Sequence, residues 1–161
     1  MQALHERYRC GILICSQEVR YAACLALGRL RGEGAATRLE KALRTDPSWW
    51  VRYGAAVGLG RLRRGFAVPA LMDRFRTEPR WQVRLQIVRA LQDIGTPRAA
   101  QAVADALRDS DSGVRAAAAF AIGEIGEDAQ LPEVGAALRA ETDASTRSVL
   151  SAAFRRILAK P

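Results

Sequence analysis

A Val-Arg dipeptide returns along this chain at a nearly constant interval: Val19-Arg20, Val51-Arg52, Val83-Arg84 and Val114-Arg115, with Thr146-Arg147 as a decayed fifth copy. The steps are 32, 32, 31 and 32 residues. A fixed period of this size is the mark of a stacked repeat array, in which one small unit is copied and piled on itself. Such arrays are general binding surfaces, so the period constrains the architecture far more than the activity.

Aligning the copies on the valine shows what each contains. Four residues on stand Ala23, Ala55, Ile87, Ala118 and Leu150; eight on, Leu27, Leu59, Leu91, Ile122 and Phe154; eleven on, Leu30, Leu62, Ile94, Ile125 and Ile157. Offsets of 0, 4, 8 and 11 fall on one face of a 3.6-period helix. Seven on is a column of small residues, Ala26, Gly58, Ala90, Ala121 and Ala153, which lets a neighbouring helix approach closely. Gly95 and Gly126 read as helix stops. A second helix follows in each copy, with core positions Leu39, Leu71, Val103 and Val134, then Leu43, Phe75, Leu107 and Leu138. Thr96-Pro97 reads as an N-cap followed by proline at the first helical position, and Pro69 and Pro132 share an early second-helix column where a missing N–H costs little. The pattern predicts an all-α fold of about four and a half helix-turn-helix units near 16–45, 46–77, 78–109, 110–140 and 141–160. Residues 1–15 match no full unit and read as an N-terminal cap or partial helix. No single unit can bury its apolar stripe alone; stacking buries a continuous core.

The segments "VRYGAAVGLGRL", "VRAAAAFAIGEIG" and "AVPALMDRF" resemble the HEAT-like repeat family of the phycobilisome-lyase type, over about residues 16–160. The resemblance implies a right-handed α-α superhelix whose second helices line a concave binding face.

Composition narrows the setting. Hydrophobic residues make up 49% of the chain, enough for a packed core, and no apolar run is long enough to span a membrane. No secretory leader is visible, and three cysteines (Cys10, Cys15, Cys24) form no metal-ligand pattern, so a reduced, cytoplasmic setting is expected. Cys24 reads as a small buried residue. The net charge of +8 is uneven: residues 1–80 carry 15 basic against 7 acidic side chains, and residues 81–161 carry 10 of each. All basic residues except Lys41 and Lys160 are arginines.

Several side-chain groups are candidates for chemistry. Arg20, Arg52, Arg84, Arg115 and Arg147 read first as structural, because acids recur six residues before the arginine (Asp46, Glu78, Asp109, Glu141) and four before it in two copies (Asp111, Asp143). These acids can cap the helix start and pair with the arginine of the same or an adjacent layer. A second arginine column, Arg44, Arg76, Arg108 and Arg139, ends the second helices; helix-dipole complementarity explains a basic residue there but not arginine four times. Around it, Arg38, Lys41, Met72, Asp73, Gln101, Asp105 and Glu133 occupy variable positions, with Met72 as an apolar contact. Trp49 and Trp81 share one column in adjacent units, with Trp50 beside the first; the expectation is that Trp49 and Trp81 stack on each other, with an exposed aromatic anchor as the alternative. The only histidine, His5, sits beside Glu6, and one such pair builds no metal site. With no nucleophile-base pair and no glycine-rich phosphate loop, neither a catalytic group, a metal nor a cofactor is expected.

The leading expectation is a non-catalytic protein-protein interaction scaffold binding an acidic or mixed partner surface on its second-helix face. One alternative is nucleic-acid binding through the basic N-terminal half. Another, implied only by the resemblance, is a bilin lyase subunit or phycobiliprotein-associated factor. Self-association through the terminal repeats is a further expectation.

Overall fold

The computed structural model describes residues 16–32 and 34–160. Among them the chain forms nine α-helices and no strand: α1 (Gln17–Leu30), α2 (Ala35–Thr45), α3 (Trp49–Leu62), α4 (Val68–Thr77), α5 (Trp81–Ile94), α6 (Pro97–Ala106), α7 (Ser112–Ile125), α8 (Leu131–Ala140) and α9 (Ala144–Leu158). Short 3-10 turns, Gly65–Ala67 and Asp128–Gln130, lead into α4 and α8. Odd-numbered helices form one row and even-numbered helices the other, so the fold is an α-solenoid. No helix of the described residues is long and apolar enough to cross a membrane. The N-terminal cap expected at residues 1–15, with His5, Glu6, Cys10 and Cys15, lies outside the described residues.

The helix ends follow local chemistry. Thr96 accepts a hydrogen bond from the Ala99 N–H, and Asp111 and Asp143 accept from the N–H groups of Val114 and Thr146, three residues into their helices. Gly95 ends α5 in the left-handed conformation at φ +64°. Arg31 and Arg63 hold the corresponding left-handed position after α1 and α3, at φ +52° each, without the freedom of glycine. Gly126 ends α7 with extended backbone instead.

The core lies between the rows and between the layers. Val51, Val83 and Val114 are fully buried, as are Leu59, Leu91 and Ile122 eight residues on and the second-helix residues Leu39, Leu71, Val103 and Val134. The first layer departs from the pattern. Val19 is 56% and Leu30 78% exposed, and Ala23 and Ala26 face solvent too. These positions need a preceding layer to cover them, and no described residue supplies one.

Close packing of the first-helix row depends on a glycine column that lies nine residues after the valine. Gly28, Gly60 and Gly123 each face the small residue seven after the valine in the next layer: Gly58, Ala90 and Ala153. A Cβ at Gly28 would lie 2.6 Å from the Gly58 Cα, one at Gly60 2.9 Å from the Ala90 Cα, and one at Gly123 3.1 Å from the Ala153 Cα. Backbone therefore meets backbone, too close for a Cβ at Gly28 and Gly60 and tight for one at Gly123. The third layer carries Gln92 in this column.

Replacing Gly60 by alanine sets these effects against each other. In an open helix the change gains about 1 kcal/mol of helix propensity. Here overpacking against the α5 backbone costs about 1–3 kcal/mol, so Gly60→Ala is expected to lower the free energy of unfolding in a urea titration.

Candidate functional site

The five Val/Thr-Arg arginines line one edge of the stack, and four of them form a ladder between layers. Arg20 donates through Nε and Nη2 to the two carboxylate oxygens of Asp46 at 2.8 and 3.0 Å. Arg52 does the same to Glu78 (2.8 and 2.9 Å), Arg84 to Asp109 (2.7 and 2.8 Å) and Arg115 to Glu141 (2.7 and 2.9 Å). The acid always lies in the turn between the second helix of its unit and the first helix of the next. The remaining Nη1 of Arg52, Arg84 and Arg115 donates backwards, to the backbone carbonyls of Asp46 and Pro47, Glu78 and Pro79, and Asp109 and Ser110. Arg147 donates to the Glu141 carbonyl. Each carboxylate also accepts a backbone N–H from two residues on: Ser48, Arg80, Asp111 and Asp143. The guanidinium fork and the turn are thus locked together.

Electrostatics follow from this geometry. Hydrogen bonds to Asp109 and Glu141 raise the pKa values of Arg84 and Arg115. Burial pushes the Glu78 carboxyl up, but bonds from Arg52, the Arg80 amide and Arg74 outweigh it and hold the group below the usual carboxylate range. The Arg115 fork, with the Asp143 and Thr142 amides, holds the Glu141 carboxyl at about 2 against the opposing effect of burial. These arginines are occupied, so the ladder is structural. The pairing runs to the adjacent layer, and the helix starts are capped by Asp111 and Asp143, not by the acids of the ladder.

The second-helix row holds the expected binding residues, and the structure divides them. Arg38, Lys41 and Arg44 on or at the end of α2 are exposed, and their side chains make no hydrogen bond or ion pair among the described residues. Arg108 and Arg139 are likewise exposed and unpaired. Arg76 is held between Asp73 (3.8 Å) and Asp105 (3.4 Å), so the arginine column is neutralised at its second member. Gln101 accepts a hydrogen bond from Gln130 of the following unit. Met72 corrects the sequence expectation: its side chain is buried in the core at the floor of a depression of about 300 Å³ between α4 and α6, and is not an exposed apolar contact. A second depression, of about 520 Å³, lies between Arg108 and α8.

The tryptophans also depart from expectation. Trp49 and Trp81 form no ring contact with each other. Among the described residues the ring contacts centre on Trp50, which stacks on Tyr21 of α1 (4.8 Å) and on Tyr53 (5.8 Å) and meets Trp49 edge-on (5.3 Å). The Tyr21 ring occupies the space a Cβ at Gly54 would need, 2.6 Å away. Trp81 remains 45% exposed. The aromatic group lies on the outer face of the first-helix row. That face also carries a depression of about 790 Å³ lined by residues of α1, α3, α5 and α7, among them Tyr21, Tyr53, Gln86 and Phe120.

Much of the basic excess sits at a third place. Arg29, Arg31, Arg61, Arg63 and Arg64 cluster at the C-terminal ends of α1 and α3, with no carboxylate paired to any of them among the described residues. Four of them line a depression of about 390 Å³ with Asp93. The same turns in later layers carry Asp93, Glu124, Glu127 and Asp128, so the edge changes sign along the stack. The turn strings "RLRG" and "RLRRG" against "QDIG" and "GEIG" carried this signal.

Cys24 is buried, and burial pushes its thiol to about 11, so it is not a thiolate at neutral pH. Among the described residues no group of three His, Cys, Asp or Glu side chains could hold a metal ion.

The sequence signature of HEAT repeats matches residues 14–80 and 68–155, and the chain belongs to the HEAT-repeat family. HEAT repeats are generally non-enzymatic protein-interaction scaffolds. No curated protein matches the chain. Its fold is similar to the crystal structure of an engineered protein from the Northeast Structural Genomics Consortium, with a TM-score of 0.57 at 20% identity, covering 91% of this chain and 76% of that one.

Two consequences of the ladder can be measured. Arg52→Ala leaves the buried Glu78 carboxylate with Arg74 as its remaining cation, and removing one partner of a buried pair costs about 3–5 kcal/mol; denaturant titration should show a loss of that order. The Glu141 carboxyl titrates lower in the folded chain than its ordinary 4.5, so its contribution is complete above that pH and disappears as pH falls toward 2. The thermal midpoint should fall across this window, and Glu141→Gln should flatten part of the fall.

Proposed function

We propose that the protein is a non-catalytic scaffold that binds an acidic or mixed surface of a partner protein on its second-helix face. The observation that carries this reading is the set of unpaired, exposed cations on that row, Arg38, Lys41 and Arg44 at one end and Arg108 and Arg139 at the other, flanking the Asp73–Arg76–Asp105 group. Such a mixed pattern fits a partner with two acidic patches and a central basic group. Electrostatic matching of this kind acts on association rate and partner choice. The narrower likeness to repeats of the phycobilisome-lyase type rests on the quoted motifs alone, and no residue arrangement favours a bilin-lyase role.

A second reading, nucleic-acid binding, is favoured by one feature, the five unpaired arginines at the ends of α1 and α3. Phosphate contacts would then come from that edge and not from the second helices.

One experiment separates the two. Arg44→Glu/Arg108→Glu and Arg61→Glu/Arg63→Glu chains are compared for partner capture with crosslink mapping and for binding of a short DNA duplex across salt. Crosslinks centred on α2 and α6, lost in the first variant, support the scaffold reading. Crosslinks that ignore α2 and α6 defeat it. Duplex binding with log K falling by about 0.9 per phosphate contact in log salt, and lost in the second variant, establishes the other.

A further inference from the structure

The outer face of the first-helix row carries chemistry that the scaffold reading does not use. Three residues after each valine stand Ala22, Gly54, Gln86, Ala117 and Val149. Four of the five are apolar or small. Gln86 is 7% exposed, lines the 790 Å³ depression, and its side-chain amide makes no hydrogen bond to any described residue. The Gln86 amide atoms are not among the buried polar atoms without a partner, so they open onto the groove, where they are free to bond a ligand. One turn earlier on α5, the Gln82 side-chain oxygen is itself buried without a partner.

The surroundings of Gln86 define what would satisfy it. Tyr21, Tyr53 and Leu85 form an apolar wall on one side, and Phe120, 55% exposed, stands on α7 across from them. Arg89, one turn along α5, and Arg61 on α3 line the same depression, and neither forms an ion pair. Asp93 shares their end of the groove, so two cations face one carboxylate there. The volume lies within the range of about 300–1,000 Å³ typical of ligand sites.

We propose that this groove holds an extended peptide segment of a partner protein, with its backbone paired to the Gln86 amide, an apolar side chain between the tyrosines and Phe120, and a carboxylate at Arg61 and Arg89. A side-chain amide presents one acceptor and one donor side by side, which matches the C=O and N–H of a peptide group. A helical ligand has already used its backbone groups internally; an extended one has them free. The net positive end of the groove selects an acidic residue or a chain terminus, where the arginine forks give charge-assisted bonds. This surface is separate from the second-helix row, on the other side of the core.

The test uses the full chain and a displayed library of random dodecapeptides. Selection should enrich peptides that carry a carboxylate next to one or two apolar residues. A synthetic copy of an enriched peptide should lose affinity by about tenfold in Gln86→Leu, the effect of one buried hydrogen bond, and by at least as much in Arg61→Glu/Arg89→Glu. Arg44→Glu/Arg108→Glu should leave its affinity unchanged within about twofold, because distant sites act independently. Gln86→Leu should keep the thermal midpoint of the parent chain within about 2 °C, so its lost binding cannot be lost folding. Failure to enrich any peptide, enrichment of basic sequences, or binding indifferent to Gln86 overturns the proposal. So does a groove variant that changes sedimentation of the chain alone, since a second copy would then be the occupant.

Discussion

The stack depends on a two-pronged bond between an arginine of one layer and a carboxylate of the next. Apolar burial supplies most of the force that collapses the layers, but it is non-directional and would tolerate sliding. The guanidinium fork is directional and closes at one offset only. Each acid it reaches is itself held by a backbone N–H two residues on, and Arg52, Arg84 and Arg115 also hold the carbonyls of the turn before their own helix. Register between layers and shape of the turns are therefore one problem with one solution. Such a buried pair adds little net stability over apolar packing; its contribution is to select one stacking geometry.

With register set, backbone contact becomes workable. Gly28 against Gly58 and Gly60 against Ala90 bring first helices together without intervening side chains. This leaves the outer sides of the two rows free to carry different chemistry. The even-numbered helices present separated charges of both signs. The odd-numbered helices present rings, an amide that opens onto the groove and two unpaired arginines. The turn edge adds a third character, basic over α1 and α3 and acidic beyond.

Much of this was legible because the period carries it. The valine column, its partners eight residues on, and the second-helix positions Leu39, Leu71, Val103 and Val134 are the core, as a 3.6-residue periodicity requires. The spacing also showed that arginine and acid belong together, but it allowed the same layer or the next, and only three-dimensional geometry chooses the next. Other readings failed where a single column could not show direction. Met72 shares its helix with exposed Asp73, yet points to the core beside Leu71. Trp49 and Trp81 occupy one column, but Trp50, one residue on, faces outward and finds Tyr21 and Tyr53. The glycines nine after the valine take their meaning only from the small residues they face across the layer. Val19 and Leu30 fit the buried pattern and are exposed, because burial in a stack needs a neighbour as well as a pattern.

Gln92 interrupts the glycine column, and this has a mechanical consequence. Three joints in the first-helix row are backed by glycine and stand backbone to backbone; the joint between α5 and α7 has a long side chain in that place. A pile of layers flexes where it is least tightly seated, so bending of the array concentrates at this single joint. Gln92 also lines the cleft on that side. The gap between Leu85 and Phe120 spans the compliant joint, and its width would follow the flexing of the array while Tyr21 and Tyr53, each stacked on Trp50, stay fixed.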